Sequence, residues 1–411
     1  MGALLGAVGL LVAAAFCWQW HHYRRFQEVR PGVLYRMGLP SQWGFRQIVR
    51  QYHIRTVVCL HEAAEPRLRA GWFWDWGEPS GPLESQVAQQ LGVRFLHWPL
   101  PQEGPWPWPK PEYLDQFFRL MDDPENWPVL IHCWAGKHRT GTLVALFRLE
   151  YEGWSVSEAL KEMYSFDFKM PFALQELNLR TYVRRPRPTA SQWQTLQEAI
   201  SPWLSQAPSD YEQFIRILRA EMGKPPVAAQ LEEYLRLGKP FGVCLADWLL
   251  QDSDHSWLPV ALEQAEKILF SAFQNSIPQD EAAIQQLATA AGLLADYGSA
   301  QTRSRLARLV SHQMQGSEIT APYRALVNGL SNRYRLSRLP YLKLLLEDQR
   351  LRPEPEANGT RYADTAVARI AAIVQEDFIG RRGHASRQDW DQAIQRAKQW
   401  FAEHPQATVF P

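Results

Sequence analysis

Apolar and polar positions change rhythm three times along the chain. Residues 2–18 carry no charge, residues 30–183 alternate short β-branched runs with helical spacing, and beyond about residue 190 only helical spacing is left. In the middle region, 32–38 (GVLYRMG) predicts a short strand with a turn. Phe45, Ile48 and Val49 predict a helix over 44–54, and RTVVCL (55–60) predicts a buried strand. A helix over 83–93 stops at Gly92, a strand follows over 94–100, a helix over 112–121 and a hydrophobic strand, WPVLIHC, over 127–133. The proline-dense stretch 101–111 cannot be regular structure. This βαβα order predicts an α/β domain with a mostly parallel central sheet flanked by helices.

RRPRP (184–188) interrupts the pattern and marks the predicted domain boundary. Past it, segments such as FGVCLADWLL and AAIQQLATAAGLLADYG hold apolar residues at i, i+3, i+4. They predict an all-α domain over 190–411, either a HEAT-like solenoid with a repeat of about 40 residues or an irregular bundle. RPEPEANG (352–359) reads as an exposed loop. At the other end, residues 1–23 predict a single transmembrane helix, since 2–18 is about long enough to cross a bilayer. Trp18, Trp20 and Tyr23 would form an aromatic belt, and Arg24, Arg25 and Arg30 would keep the body in the cytoplasm. A signal cleaved near Ala13–Ala15, or an apolar helix docked on the body, is the alternative. The α/β domain itself is expected over 26–184.

Composition changes little. With 411 residues, 46% hydrophobic and 21% charged, the chain is ordinary for a globular protein. A net charge of +1 gives no pull toward nucleic acid. Cys17, Cys59, Cys133 and Cys244 form no C-x-x-C pair, which excludes a zinc knuckle and fits a reducing compartment. No H-E-x-x-H is present, and no metal or other cofactor is expected.

The chemistry is concentrated in HCWAGKHRTG (132–141). A Walker loop is ruled out: Ile131 stands where its first glycine belongs, and His138 where its Ser or Thr belongs. Instead a buried strand ends at His132, Cys133 opens a tight turn, and RTGTLVALFRLEYEG runs as a helix stopped near Gly153. A loop wrapped on a helix N-terminus points N–H groups inward and adds positive potential, which suits a tetrahedral oxyanion. Trp134, Ala135, Gly136, Lys137, His138 and Arg139 would bind the phosphate. The same field favours a Cys133 thiolate. Arg139 can grip two phosphate oxygens, Thr140 can donate to the sulfur, His132 shapes the loop from beneath, and Gly136 and Gly141 allow close backbone approach. In-line attack by Cys133 would give a phosphocysteine, with Arg139 stabilising the equatorial oxygens.

His-Cys-x-x-x-x-x-Arg-Thr-Gly between an apolar strand and a helix resembles the cysteine-dependent protein tyrosine phosphatase superfamily, in its dual-specificity branch, over about residues 28–183. VRPGVLYRMGLPS (29–41) is similar to the opening of bacterial, fungal and plant atypical members. GWSVSEALKEM (153–163) resembles their next helix, with Ser155 and Glu158 as a capping box. GKHRTG is similar to the loop of plant and fungal members that act on inositol phosphates, whose extra bases correspond to Lys137 and His138. The phosphoinositide 3-phosphatase loop has a second lysine where Trp134 stands. A rhodanese-like loop is the nearest competitor, and Arg139-Thr140-Gly141 argues against it.

The resemblance implies a general acid from a mobile loop, an aspartate in relatives. The corresponding stretch, 97–106, holds only Glu103, which becomes the expected acid. Asp75 and Glu78 are second candidates, and Asp115 is expected on a helix surface. Cys59 reads as a core residue, with a protective disulfide to Cys133 as the alternative. His61 and Glu62 end a strand where sites form, and Arg67 and Arg69 would add positive charge. The function implied is hydrolysis of phosphoprotein or inositol phosphate monoesters by a membrane-tethered enzyme. The competing reading is a catalytically weak phosphate-binding scaffold whose helical domain binds a protein partner.

Overall fold

In the computed structural model the described residues are 17–19, 21–70, 79–100, 108–166, 173–250, 255–274, 280–357, 359–380 and 384–409. They fall into two compact units: residues up to Arg180 with Gln375–Ala385, and Thr181–Val374 with the residues from Ser386 onward. The change at Arg180 comes a few residues before RRPRP.

The first unit is built on strands β1 (Gln27–Arg30), β2 (Leu34–Gly38), β3 (Thr56–Cys59), β4 (Arg94–His97) and β5 (Val129–Cys133). Their order is β1-β2-β5-β3-β4, with β1 antiparallel to β2 and the other pairs parallel. β5 lies between β2 and β3, and all of its residues are buried, as the uninterrupted VLIHC pattern demands. β1 escaped the pattern reading because QEVR is a short edge strand with only Val29 buried.

Helices α1 (Gln42–Gln51), α2 (Glu84–Gln90), α3 (Pro111–Asp122), α4 (His138–Phe147), α5 (Val156–Ser165) and α6 (Ala173–Arg180) complete this unit. Ser41 caps α1 by accepting from Gly44 N–H at 3.0 Å, and Phe45, Ile48 and Val49 face inward. They join Met37, Val57, Val87 and Leu130 in one core cluster. Each side chain buried this fully contributes about 1.5–3 kcal/mol. α4 is buried from Arg139 to Phe147, continues as a π-helical turn over Arg148–Glu152, and stops at Gly153, whose φ is 70°. Ser155 and Glu158 form the capping box read from sequence. Gly92 turns the chain between α2 and β4 with φ 70°.

The second unit is helical, and helices near in sequence pack together, as Glu281–Tyr297 does on Ala321–Ser331. Asp280, Ser299, Thr320 and Ser386 cap helix starts with their side chains. The 352–359 stretch is not simply exposed: Arg352 is buried and ion-paired with Glu354 at 3.2 Å. Among the described residues no helix is long and apolar enough to cross a membrane. Of the residues 1–23 expected to do so, 17–19 and 21–23 are described: Cys17, Trp18 and Gln19 are exposed, whereas His21 and His22 are buried and Tyr23 packs against the core cluster, so the aromatic belt expected at Tyr23 is part of the first unit.

Candidate active site

Register sets the site at the C-terminal ends of the parallel strands. Gly38 of β2 pairs with Cys133, and Cys59 of β3 pairs with His132. β5 therefore delivers Cys133 to the sheet edge, residues 134–137 form the loop, and α4 begins at His138. Gly136 turns the loop with φ 69° and donates its N–H to Cys133 Sγ at 3.2 Å. A Cβ there would lie 2.6 Å from Gly38 N and 2.7 Å from the Met37 carbonyl carbon. Gly141 differs from expectation. A Cβ there would meet nothing nearer than Met163 Cε at 3.5 Å, so close approach requires glycine at 136 and not at 141.

Three arginines cap successive loop carbonyls from behind. Arg24 donates to Trp134 O at 3.4 Å, Arg25 to Ala135 O at 3.1 Å and Arg36 to Gly136 O at 2.7 Å. Lys137 O accepts from Gly141 N–H at 2.8 Å. Because each peptide is planar and trans, a carbonyl turned outward turns the next N–H inward. The result is a nest of N–H groups at the start of a helix, the arrangement that binds oxyanions. Arg36 stacks its guanidinium 3.7 Å from the Phe166 ring centroid, and burial pushes its pKa down to about 10.

Arg139 stands beside the sulfur. Its Nη1 donates to Leu60 O at 3.0 Å, Leu100 O at 2.7 Å and Glu62 Oε2 at 2.8 Å. Segments after β3 and β4 thus fix the guanidinium. Burial pushes the Cys133 thiol up. The Arg139 charge, the Thr140 hydroxyl and N–H, and the Gly136 N–H outweigh this and hold it below the ordinary thiol value. Thr140 Oγ1 is buried with no other hydrogen-bond partner, so its hydroxyl is left to the sulfur. Lys137 and His138 are half-buried at the loop's end.

His132 lies beneath the loop, fully buried, with Nε2 2.6 Å from Glu84 Oε1 on α2. Cys59 joins them, the three potential ligand atoms lying within 4.8 Å of one another. The 2.6 Å contact is a hydrogen bond and leaves no space for an ion between nitrogen and oxygen. Burial, followed by the Glu84 charge, pushes the Cys59 thiol well up, which marks it as a core thiol. His61 packs against Trp134 at 5.5 Å between ring centroids, and burial with the Arg139 charge lowers its pKa. Arg67 donates to Gly81 O at 3.1 Å, and Arg69 bonds to His21 Nδ1 at 3.1 Å. Asp115 is exposed on α3. Glu103, Asp75 and Glu78 lie outside the described residues.

Sequence reading missed Arg24, Arg25, Arg36 and Glu84. Arg36 had a signal, a lone charge inside the apolar strand LYRMG, since a buried arginine needs a task. Arg24 and Arg25 read as membrane flanks, and Glu84 stood unremarked in the helix expected over 83–93.

Residues 84–193 match the tyrosine phosphatase family. The chain is 39% identical over 153 residues to inositol diphosphatase DSP3 of Arabidopsis thaliana, covering 37% of this chain and 66% of that protein. It is 35% identical over 156 residues to inositol diphosphatase SIW14 of Saccharomyces cerevisiae, covering 37% of this chain and 48% of that one. A further relative, tyrosine-protein phosphatase-like protein OCA2 of the same yeast, is 25% identical over 31% of this chain and 57% of its own length. The chain thus spans between about half and two thirds of these relatives. The solved catalytic domain of SIW14 in complex with citrate aligns at 22% identity and TM-score 0.31, covering 39% of this chain and 87% of that one. Cys133 and Arg139 both fall within the residues that match the tyrosine phosphatase family.

Proposed function

We propose that the protein is a cysteine-dependent phosphatase acting through a phosphocysteine on Cys133. One observation carries the reading: Cys133 Sγ sits at the floor of an inward-facing N–H nest, beside a fixed Arg139, with its thiol pKa lowered. The thiolate attacks phosphorus in line, the bond to the leaving oxygen breaks, and Glu103 supplies the proton to that oxygen. Arg139 and the loop N–H groups hold the three equatorial oxygens as charge builds on them. Water then cleaves the S–P bond and releases phosphate.

Inositol phosphates, diphosphates included, are the proposed substrate class. The inositol diphosphatases among the relatives support it, as do Lys137 and His138 at the loop's end. Lys137→Ala is expected to raise KM for a polyphosphorylated inositol more than for an aryl phosphate. The first test is steady-state turnover of both substrates by the full chain. Activity is expected, and Cys133→Ser should abolish it; turnover that survives Cys133→Ser refutes the reading. The uncharged 2–18 stretch supports a membrane tether with the phosphatase unit in the cytoplasm. Release of the full chain from membranes by carbonate, without detergent, would argue against that.

A further inference from the structure

The buried Glu84–His132 contact plays no part in the chemistry above. Both side chains are fully excluded from solvent, and a carboxylate and an imidazole are costly to bury unless they serve each other. Glu84 sits at the start of α2, on a different element from the loop, and reaches β5 at the residue just before the nucleophile. Its other oxygen, Oε2, and His132 Nδ1 have no hydrogen-bond partner of regular geometry, so the 2.6 Å contact is the pair's main link.

Resting on the reading of Cys133 as nucleophile, we propose that Glu84 is a positioning residue. Its hydrogen bond keeps the His132 imidazole charged and oriented beneath the loop, and that charge helps hold the neighbouring sulfur as a thiolate. Burial alone would neutralise the imidazole; the Glu84 charge and hydrogen bond reverse this, and His132 stays above the ordinary histidine value. Other groups also face these two. Around His132 they are Cys59 on β3, His61 beyond it and Cys133 itself. Around Cys133 they are Arg24, Arg36 on β2, Arg139 on α4 and Cys59. Three of these are guanidiniums that already favour the thiolate, so Glu84 adds to their effect and does not create it.

The test is the pH dependence of Cys133 alkylation by iodoacetamide in the full chain, read on the Cys133 peptide by mass spectrometry so that Cys17, Cys59 and Cys244 do not interfere. It needs no substrate, so it stands or falls separately from the phosphatase assay. Glu84→Gln is expected to raise the apparent thiol pKa by about one unit, which is about a tenfold slower reaction at a pH below both values. At a pH above both, the rate should match the parent, and Glu84→Asp should recover part of the shift. An unchanged titration overturns the proposal, and so does a loss uniform at every pH, which would mark a merely structural contact. If Glu84→Gln does not fold, the ring nitrogen shifts of His132 in the parent protein decide. A charged imidazole at pH 7 supports the proposal, and a neutral one overturns it.

Discussion

Gly136→Ala tests whether the loop's geometry is as constrained as the close contacts imply. An alanine at φ 69° costs about 1–2 kcal/mol in backbone strain alone. Its methyl would also stand 2.6 Å from Gly38 N and 2.8 Å from Met37 O, both backbone atoms of a buried strand that no side-chain rotation relieves. Displacing that contact adds about 1–3 kcal/mol, by analogy with overpacked cores. The sum, roughly 2–5 kcal/mol, should lower the melting midpoint of the first unit by about 4–20 °C. Relieving the clash moves the loop off β2, stretching the 2.7 Å bond from Arg36 and the 3.2 Å bond to Cys133 Sγ. Orthovanadate affinity, measured by calorimetry on the full chain, should then fall at least tenfold. Gly141→Ala is the matched comparison. It sits in a helix where alanine is favoured by about 0.8–1 kcal/mol, and its methyl would stand at ordinary contact distance from side chains alone, Met163 Cε at 3.5 Å, Met163 Cγ at 3.7 Å and Arg36 Nη2 at 3.9 Å. Its midpoint should stay level or rise. The reasoning is refuted if the two variants melt alike, or if Gly136→Ala binds vanadate within twofold of the parent.

The acid limb of kcat/KM reports the Cys133 thiol. The thiolate is the reactive form and its pKa is lowered, so activity should persist below the ordinary thiol range and fall only as pH drops through the lowered value. Thr140→Ala removes one lowering influence and should move that limb to higher pH; a limb that stays put would remove Thr140 from the account. Glu62→Gln loosens the 2.8 Å contact on Arg139 and should cost about tenfold in kcat/KM, with turnover of aryl phosphate as the assay. In the second unit, Asp296 meets Arg338 through Oδ2 at 2.8 Å and Oδ1 at 2.7 Å, both side chains buried. Asp296→Asn should therefore destabilise that unit by about 3–5 kcal/mol in chemical denaturation. Burial raises the Asp296 pKa, but Arg338, Arg335 and Arg333 outweigh it and leave it lowered. Its stabilising contribution is thus present above the unfolded carboxyl pKa and lost as pH falls through the folded value, and the variant should flatten that acid dependence.

What the sequence made legible follows from how local each signal is. β3 and β5 are buried on both faces, so their apolar runs stood out, and Gly92 and Gly153 lie at the left-handed turns their positions announced. Cys133, Gly136, Arg139 and Thr140 sit within one turn and one helix start, so spacing alone was enough to bring them together. The arginines at 24, 25 and 36 act across roughly a hundred residues of chain, and nothing near them records that they meet the loop. Glu84 meets His132 for the same reason, through sheet register and helix placement rather than sequence proximity. Position 141 shows the opposite error: a glycine inside a recognisable motif invited a steric reason that its surroundings do not supply.

Because Arg24 and Arg25 reach Trp134 O and Ala135 O, the first unit has no clean edge at residue 26. A shortened protein starting there would keep every residue of the signature and still lose both arginine contacts to its oxyanion cradle, with Trp134 O left only the Leu39 N–H at 3.0 Å. Gly38 N–H, which bonds to Arg24 O at 2.7 Å, would lose its acceptor as well. Weak turnover from such a fragment would say little about the intact molecule. An engineered boundary belongs upstream of Trp18, whose ring packs 5.4 Å from that of Trp43, ahead of the His21 bond to Arg69.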